Sequence, residues 1–153
     1  MKIYRVDDRL IHGQVVENWL DFFSINCIVI VNDDIVSDEL RKNIMRFAVP
    51  HSVNVFFIKT DELVSFRSDD SKNYLFLFEN LRDVMKCIDM GAKIDRLNLG
   101  GIHFAHGRNF TLGKVVYLSG EECEILKRLI SFGVDVYRQA IPQEIPVNVS
   151  KEI

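Results

Sequence analysis

Polar and apolar residues alternate from Lys2 to Val6 with the period of two expected of a half-buried strand, and Val15, Val16, Trp19, Leu20 and Phe23 then recur at helical spacing. The residues between them form a strand-to-helix turn. Cys27 to Val31, a β-branched run, predicts a second strand. Ser37-Asp38-Glu39-Leu40 opens a helix with a polar cap and acids in its first turn, and Pro50 closes it. Asn54 to Lys59 reads as a third strand, followed by a short helix capped by Thr60 and reaching Phe66. A polar loop, Arg67 to Asn73, leads to a fourth strand at Tyr74 to Phe78. Asn80 caps a helix with Leu81, Val84, Met85 and Ile88 on one face and Gly91 just past its end. Asp95 to Leu99 is a fifth strand and Val115 to Leu118 a short apolar run. Ser119-Gly120-Glu121-Glu122 is a capping box that starts a helix ending at Gly133, and Val134 to Tyr137 is a last strand.

Strand and helix alternate throughout, which predicts an α/β fold: one open, twisted, mainly parallel sheet with helices on both faces and right-handed crossovers. No repeat, low-complexity tract or linker interrupts the pattern, so residues 1–153 are expected to form a single domain. Hydrophobic residues make up 48% of the chain, enough to close one core. A formal net charge of −3 excludes the broad basic face that nucleic acid demands, so no nucleic-acid partner is expected. No signal-peptide run opens the sequence, and no stretch approaches the ~20 consecutive apolar residues of a membrane span; a soluble, cytoplasmic chain is expected. Cys27, Cys87 and Cys123 are odd in number and widely separated, and read as free buried thiols.

Chemistry concentrates in the first turn. Arg5-Val6-Asp7-Asp8-Arg9-Leu10-Ile11-His12-Gly13-Gln14-Val15 sets one histidine among two arginines and two acids. In an open α/β sheet such a turn lies at the carboxyl end of a strand, where ligands bind, and the helix after it offers free N–H groups and the positive end of its dipole; the place suits phosphate. A neutral His12 imidazole has one nitrogen free to attack phosphorus. Arg9 offers a planar fork for phosphate oxygens, and the amides of Gly13 and Gln14 offer further hydrogen bonds. Gln14 serves equally to bond the loop backbone. Asp7 or Asp8 would accept the other imidazole N–H and fix the tautomer; the spacing does not choose between them, and Asp8 is taken as the catalytic candidate. Arg5 suits either a phosphate contact or a structural ion pair with Asp7 or Glu17.

The same run, with Trp19 after it, closely resembles the histidine loop of IIB subunits in the mannose, fructose and sorbose family of the bacterial sugar phosphotransferase system. Asn98-Leu99-Gly100-Gly101-Ile102-His103-Phe104 resembles that family's Asn-Val-Gly-Gly-Met segment, and the length and element order agree over nearly the whole chain. The resemblance implies a phosphoryl carrier, a protein-phosphohistidine–sugar phosphotransferase component. His12 would accept phosphate from a separate IIA protein, itself charged from phosphoenolpyruvate through enzyme I and HPr. It would then phosphorylate a sugar entering through the IIC and IID membrane subunits, with which the chain would associate peripherally. No cofactor is implied. Arg138 resembles the arginine near that family's carboxyl-terminal strand end and on that basis would reach the same phosphate; otherwise it is a solvated strand-end charge. Val15, Trp19 and the loops after the first and fifth strands become candidate partner contacts, with Trp19 equally suited to the core. A homodimer is left open, as is the sugar.

His103 and His106 form an His-x-x-His pair in a glycine-rich loop. With no third ligand at a defined spacing they read as surface residues rather than a zinc site. If the sheet order sets this loop beside His12, Gly100 and Gly101 would let backbone approach the phosphate. Asp33 and Asp34 either begin the next helix or border the site, and His51 reads as structural. A function of another class, a receiver-like signalling or partner-docking module, would use Asp7-Asp8 as its acidic pair and Asp61 as phosphate acceptor. Receivers also place a lysine at the end of the fifth strand, where this chain has Leu97-Asn98-Leu99-Gly100.

Overall fold

The strands Cys27–Val31 and Tyr74–Phe78 are buried at every position, so both of their faces must be covered, as in a parallel sheet between two helical layers. The computed structural model, which describes residues 1–153, has that architecture. In chain order the strands are β1 (Lys2–Asp7), β2 (Cys27–Val31), β3 (Asn54–Ile58), β4 (Tyr74–Phe78), β5 (Arg96–Gly101), β6 (Phe110–Leu112), β7 (Val116–Leu118), β8 (Asp135–Arg138) and β9 (Val147–Asn148). Seven of them form one sheet in the order β3-β2-β4-β1-β5-β8-β9, parallel except for the final β8/β9 pair. β6 and β7 form a separate antiparallel hairpin.

Alternation along each strand feeds two cores. Val29, Val31, Phe76, Phe78, Leu97 and Leu99 face α2 (Leu81–Asp89) and α3 (Gly120–Ser131). Ile28, Ile30, Leu75 and Leu77 face Met45 of α1 (Glu39–Phe47) and the helix after β1, with Val15, Trp19 and Leu20. At ~25 cal/mol per Å² the apolar side chains on these faces dominate the folding energy. Side-chain caps define the helix starts. Asn80 Oδ1 accepts from Asp83 N–H at 2.8 Å, and Ser119 and Glu122 form the expected reciprocal capping box.

The structure departs from expectation at particular places. α1 is capped by Asp38 rather than Ser37, which ends a short 3-10 turn over Ile35–Ser37. Thr60 caps nothing: it starts a 3-10 helix, Thr60–Ser65, with its N–H and hydroxyl both donated to Asp33, because parallel pairing brings the ends of β2 and β3 side by side. β6 and the two-residue β9 carry too few residues to show periodicity.

β1 is the fourth of the seven strands. From its carboxyl end the chain leaves toward β2 on one side, while β5 and β8 lie on the other. The loops following β1, β5 and β8 therefore meet over one edge of the sheet, at the switch of direction where open α/β sheets bind ligands.

Candidate functional site

Asp7 is the centre of this edge. It ends β1, is fully buried, and uses both carboxylate oxygens. Oδ1 accepts the Arg9 backbone N–H at 3.1 Å, closing the turn, with Leu10 N–H donating to the Asp7 carbonyl. Oδ2 accepts from Arg5 Nη2 at 3.0 Å and bonds His12 Nε2 at 3.0 Å. Burial pushes the Asp7 carboxyl up, but the His12 hydrogen bond, the Arg5 charge and the Arg9 N–H outweigh it, and the group titrates below its ordinary value. A carboxylate that stays ionised can only accept, so the hydrogen in the His12–Asp7 bond belongs to Nε2, and Nδ1 carries the free lone pair.

Two local devices hold His12 there. Leu10 adopts φ 56°, a left-handed conformation costly for a leucine, and its side chain is buried in the second core. That kink turns the chain back so that His12 lies over Asp7. The helix after it runs over 13–22 and is wound as a π-helix across Val15–Leu20, a form enriched at functional sites. Val16 N–H donates to the His12 carbonyl, so the amides of Gly13 and Gln14 precede the first intrahelical bond and are available to an anion. Arg9 is about half exposed, with Nε 3.7 Å from Asp7 Oδ1 and Nη2 donating to Gln14 Oε1 at 3.3 Å. Gln14 thus ties Arg9 into the mouth of the site.

Arg5 does something else. Its guanidinium is 1% exposed and bonds Asn98 Oδ1, the carbonyls of Gln139 and Ala140, and Asp7, while stacking over the Trp19 ring at 4.5 Å. The expected alternative of a phosphate contact is corrected: Arg5 lies beneath Asp7 as a structural ion pair, and Glu17 plays no part. β1 and β5 accommodate it with a register shift between Val6 and Asp7, which leaves Gly100 unpaired on β1. A Cβ at Gly100 would fall on the Arg5 guanidinium, so only glycine fits. Asn98, to which sequence reasoning gives no role, completes this support by donating to the Gln139 carbonyl at 3.2 Å; a fully buried amide in an apolar strand was the available signal.

Asp8 is likewise corrected as the partner of His12. It points across to the β5 loop, accepting from the His103 backbone N–H at 2.8 Å and pairing with His103 Nδ1 at 2.6 Å. Arg138 is committed to Glu152 by paired bonds of 2.9 Å, yet it lines, with Gln14, Lys114 and Glu144, a cleft of about 580 Å³ beside the site. Val15 and Trp19 are buried, so neither is a surface for a partner. Trp19 Nε1 donates to the Ala140 carbonyl. Asp33 serves Thr60 and Lys86. Asp61 follows β3 at the sheet edge, separated from Asp7 and Asp8 by β2 and β4, so the receiver-like constellation does not assemble. His51 lies exposed in a turn after Pro50.

Comparison with known proteins assigns the chain to a family. The family model described as "PTS system sorbose subfamily IIB component" matches residues 1–153. The sorbose-specific EIIB component of Klebsiella pneumoniae is 30% identical over 152 residues, covering 97% of this chain and 92% of that protein. The fructose-specific EIIB component of Bacillus subtilis is 30% identical, with 92% and 87% covered. Among solved structures, manxB from Thermoanaerobacter tengcongensis superposes with a TM-score of 0.86 at 32% identity, covering 98% of this chain and 93% of that one. No helix here is long and apolar enough to cross a membrane. This chain belongs to the sorbose subfamily of IIB components of the sugar phosphotransferase system.

Proposed function

We propose that the protein is a phosphoryl carrier whose His12 takes phosphate on Nδ1 from a IIA partner and hands it to a sugar held by the IIC and IID membrane subunits. The observation that carries this reading is the bond from His12 Nε2 to the buried Asp7, which leaves Nδ1 as the nitrogen with the free lone pair, in a turn that also holds Arg9 and Gln14. As Nδ1 attacks phosphorus, positive charge develops on the ring, and Asp7 lies 3.0 Å from where it appears. Arg9 and the first-turn amides of the π-helix meet the charge on the equatorial oxygens. No proton has to be removed for this uptake, since the attacking nitrogen bears none.

Sorbose, fructose and N-acetylgalactosamine relatives match at similar identity, so sugar choice is assigned to the membrane subunits, which enclose the sugar. The mannose-specific EIIAB component of Escherichia coli, of which this chain covers 42%, supports a IIA donor by its name. Working between donor and membrane places the protein in the cytoplasm, peripherally bound to the membrane complex.

Intact mass after incubation with phosphoenolpyruvate, enzyme I, HPr and a IIA protein tests the reading. One added phosphate, stable to alkali and lost in acid, is expected on the wild type and absent from His12→Gln, which should fold normally because a half-buried turn residue contributes little packing. Label retained by His12→Gln, or label that hydroxylamine removes, would overturn it.

A further inference from the structure

A second histidine–aspartate pair stands beside the first, and carrying phosphate does not use it. His103 follows β5, its backbone N–H and Nδ1 both engaged by the Asp8 carboxylate at 2.8 and 2.6 Å. Asp8, accepting through both oxygens, makes Nδ1 the protonated nitrogen and leaves Nε2 as a free lone pair with no protein partner. The ring is half exposed and lines a small recess with Asp7, Arg9, Gln14 and Gly101. The point where a Gly101 Cβ would stand is 3.4 Å from His103 Cε1 and 3.5 Å from Asp7 Oδ2, so the two histidine–aspartate pairs meet across one glycine. Arg108 fixes the far side: Nη1 donates to the His103 carbonyl at 2.7 Å and lies 3.9 Å from Asp8, while Nε pairs with Glu122.

We propose that His103, positioned by Asp8, is the general base that takes the hydroxyl proton of the sugar when phosphate leaves His12; the assignment rests on the carrier reading above. The two half-reactions differ in one respect. In uptake from a donor phosphohistidine, His12 Nδ1 attacks with a bare lone pair, and no proton is released. In delivery, the sugar oxygen forms its bond to phosphorus and the P–Nδ1 bond breaks. Its electron pair returns to a ring that keeps Nε2–H on Asp7, and the hydroxyl proton must go elsewhere. His12 cannot take it while Nδ1 is the leaving atom, and Asp7 already accepts from three groups. His103 Nε2 is a free lone pair on the recess it shares with Asp7 and Arg9, and becomes imidazolium against Asp8. The charged groups facing it are Asp8, Asp7, Arg9 and Arg108, the last neutralised by Glu122.

His103→Asn separates this role from a structural one, since the asparagine amide keeps a donor for Asp8 where Nδ1 stood and removes the base. The measurement is uptake from a IIA protein by rapid quench, and delivery from pre-phosphorylated protein to mannose, fructose, sorbose or N-acetylgalactosamine on vesicles carrying the IIC and IID subunits. Uptake should proceed at the wild-type rate. Delivery should slow by about 10²-fold, the lower end of what a positioned base contributes. Asp8→Asn should give a smaller loss of the same kind. Delivery by His103→Asn at the wild-type rate, or equal slowing of uptake and delivery, would overturn the proposal. Absence of phosphate on the wild type would instead overturn the carrier reading and this assignment with it.

Discussion

Asp7 carries more of the site than any other side chain, because it joins a buried cation, a turn and the His12 imidazole in one carboxylate. Replacing it by Asn leaves Arg5 charged and buried without its counter-ion, which should cost about 3–5 kcal/mol in a urea titration. It should also slow phosphate uptake in the quench assay. Its depressed pKa sets an acid limit. The unfolded chain takes up this proton first as pH falls, so the stabilisation is complete above the unfolded value and is lost as pH drops through the lower folded one. Acid unfolding monitored by circular dichroism should therefore show a transition below the ordinary aspartate value of 3.8 that is weakened in Asp7→Asn. Arg9→Ala, at a half-exposed side chain, should leave stability within ~0.5 kcal/mol and slow uptake by about 10²- to 10³-fold; an unchanged rate would return Arg9 to a surface role. The sequence named His12 and Arg9 from their company, but could not separate Asp7 from Asp8. That choice depends on where β1 ends and how the bulge with β5 turns each acid, which adjacent identical residues do not disclose.

At the level of elements, the site depends on close approach of β1 and β5. Gly100→Ala should displace Arg5 and with it Asp7, lowering stability by ~2 kcal/mol or more and slowing uptake although residue 100 touches no phosphate; thermal melts and the quench assay read both effects. Long periodic elements were legible. β2 and β4 are runs of five apolar residues, and α2 and α3 announce themselves by Asn80 and the Ser119–Glu122 box. β6 and β9 were not, and neither was the π-winding of Val15–Leu20. There Val15, Trp19 and Leu20 satisfy helical spacing whether the turn is tight or wide, and Trp19 is seated between Arg5 and the Ala140 carbonyl by contacts from β1 and the segment after β8 that spacing does not disclose. Arg138 looked available at the end of β8 because Glu152, its partner, lies fourteen residues on, past β9.

Over the whole molecule, the strand order gathers the loops after β1, β5 and β8 side by side and leaves Asp61 beyond β2 and β4, which is why the carrier reading fits and the receiver-like one does not. Alternation of strand and helix disclosed the fold class, but strand order needs tertiary packing, and only that order sets His103 against the His12 site. Two histidine–aspartate pairs meet across one glycine, Gly101. If His12 carries the phosphate, the bond of Asp7 to Nε2 commits it to Nδ1. Nitrogen-15 NMR of histidine-labelled protein, phosphorylated through a IIA protein, tests it most directly. Phosphorus coupling is expected at His12 Nδ1, with Nε2 still protonated and shifted by its bond to Asp7; coupling at Nε2, or phosphate on any other residue, would refute this assignment.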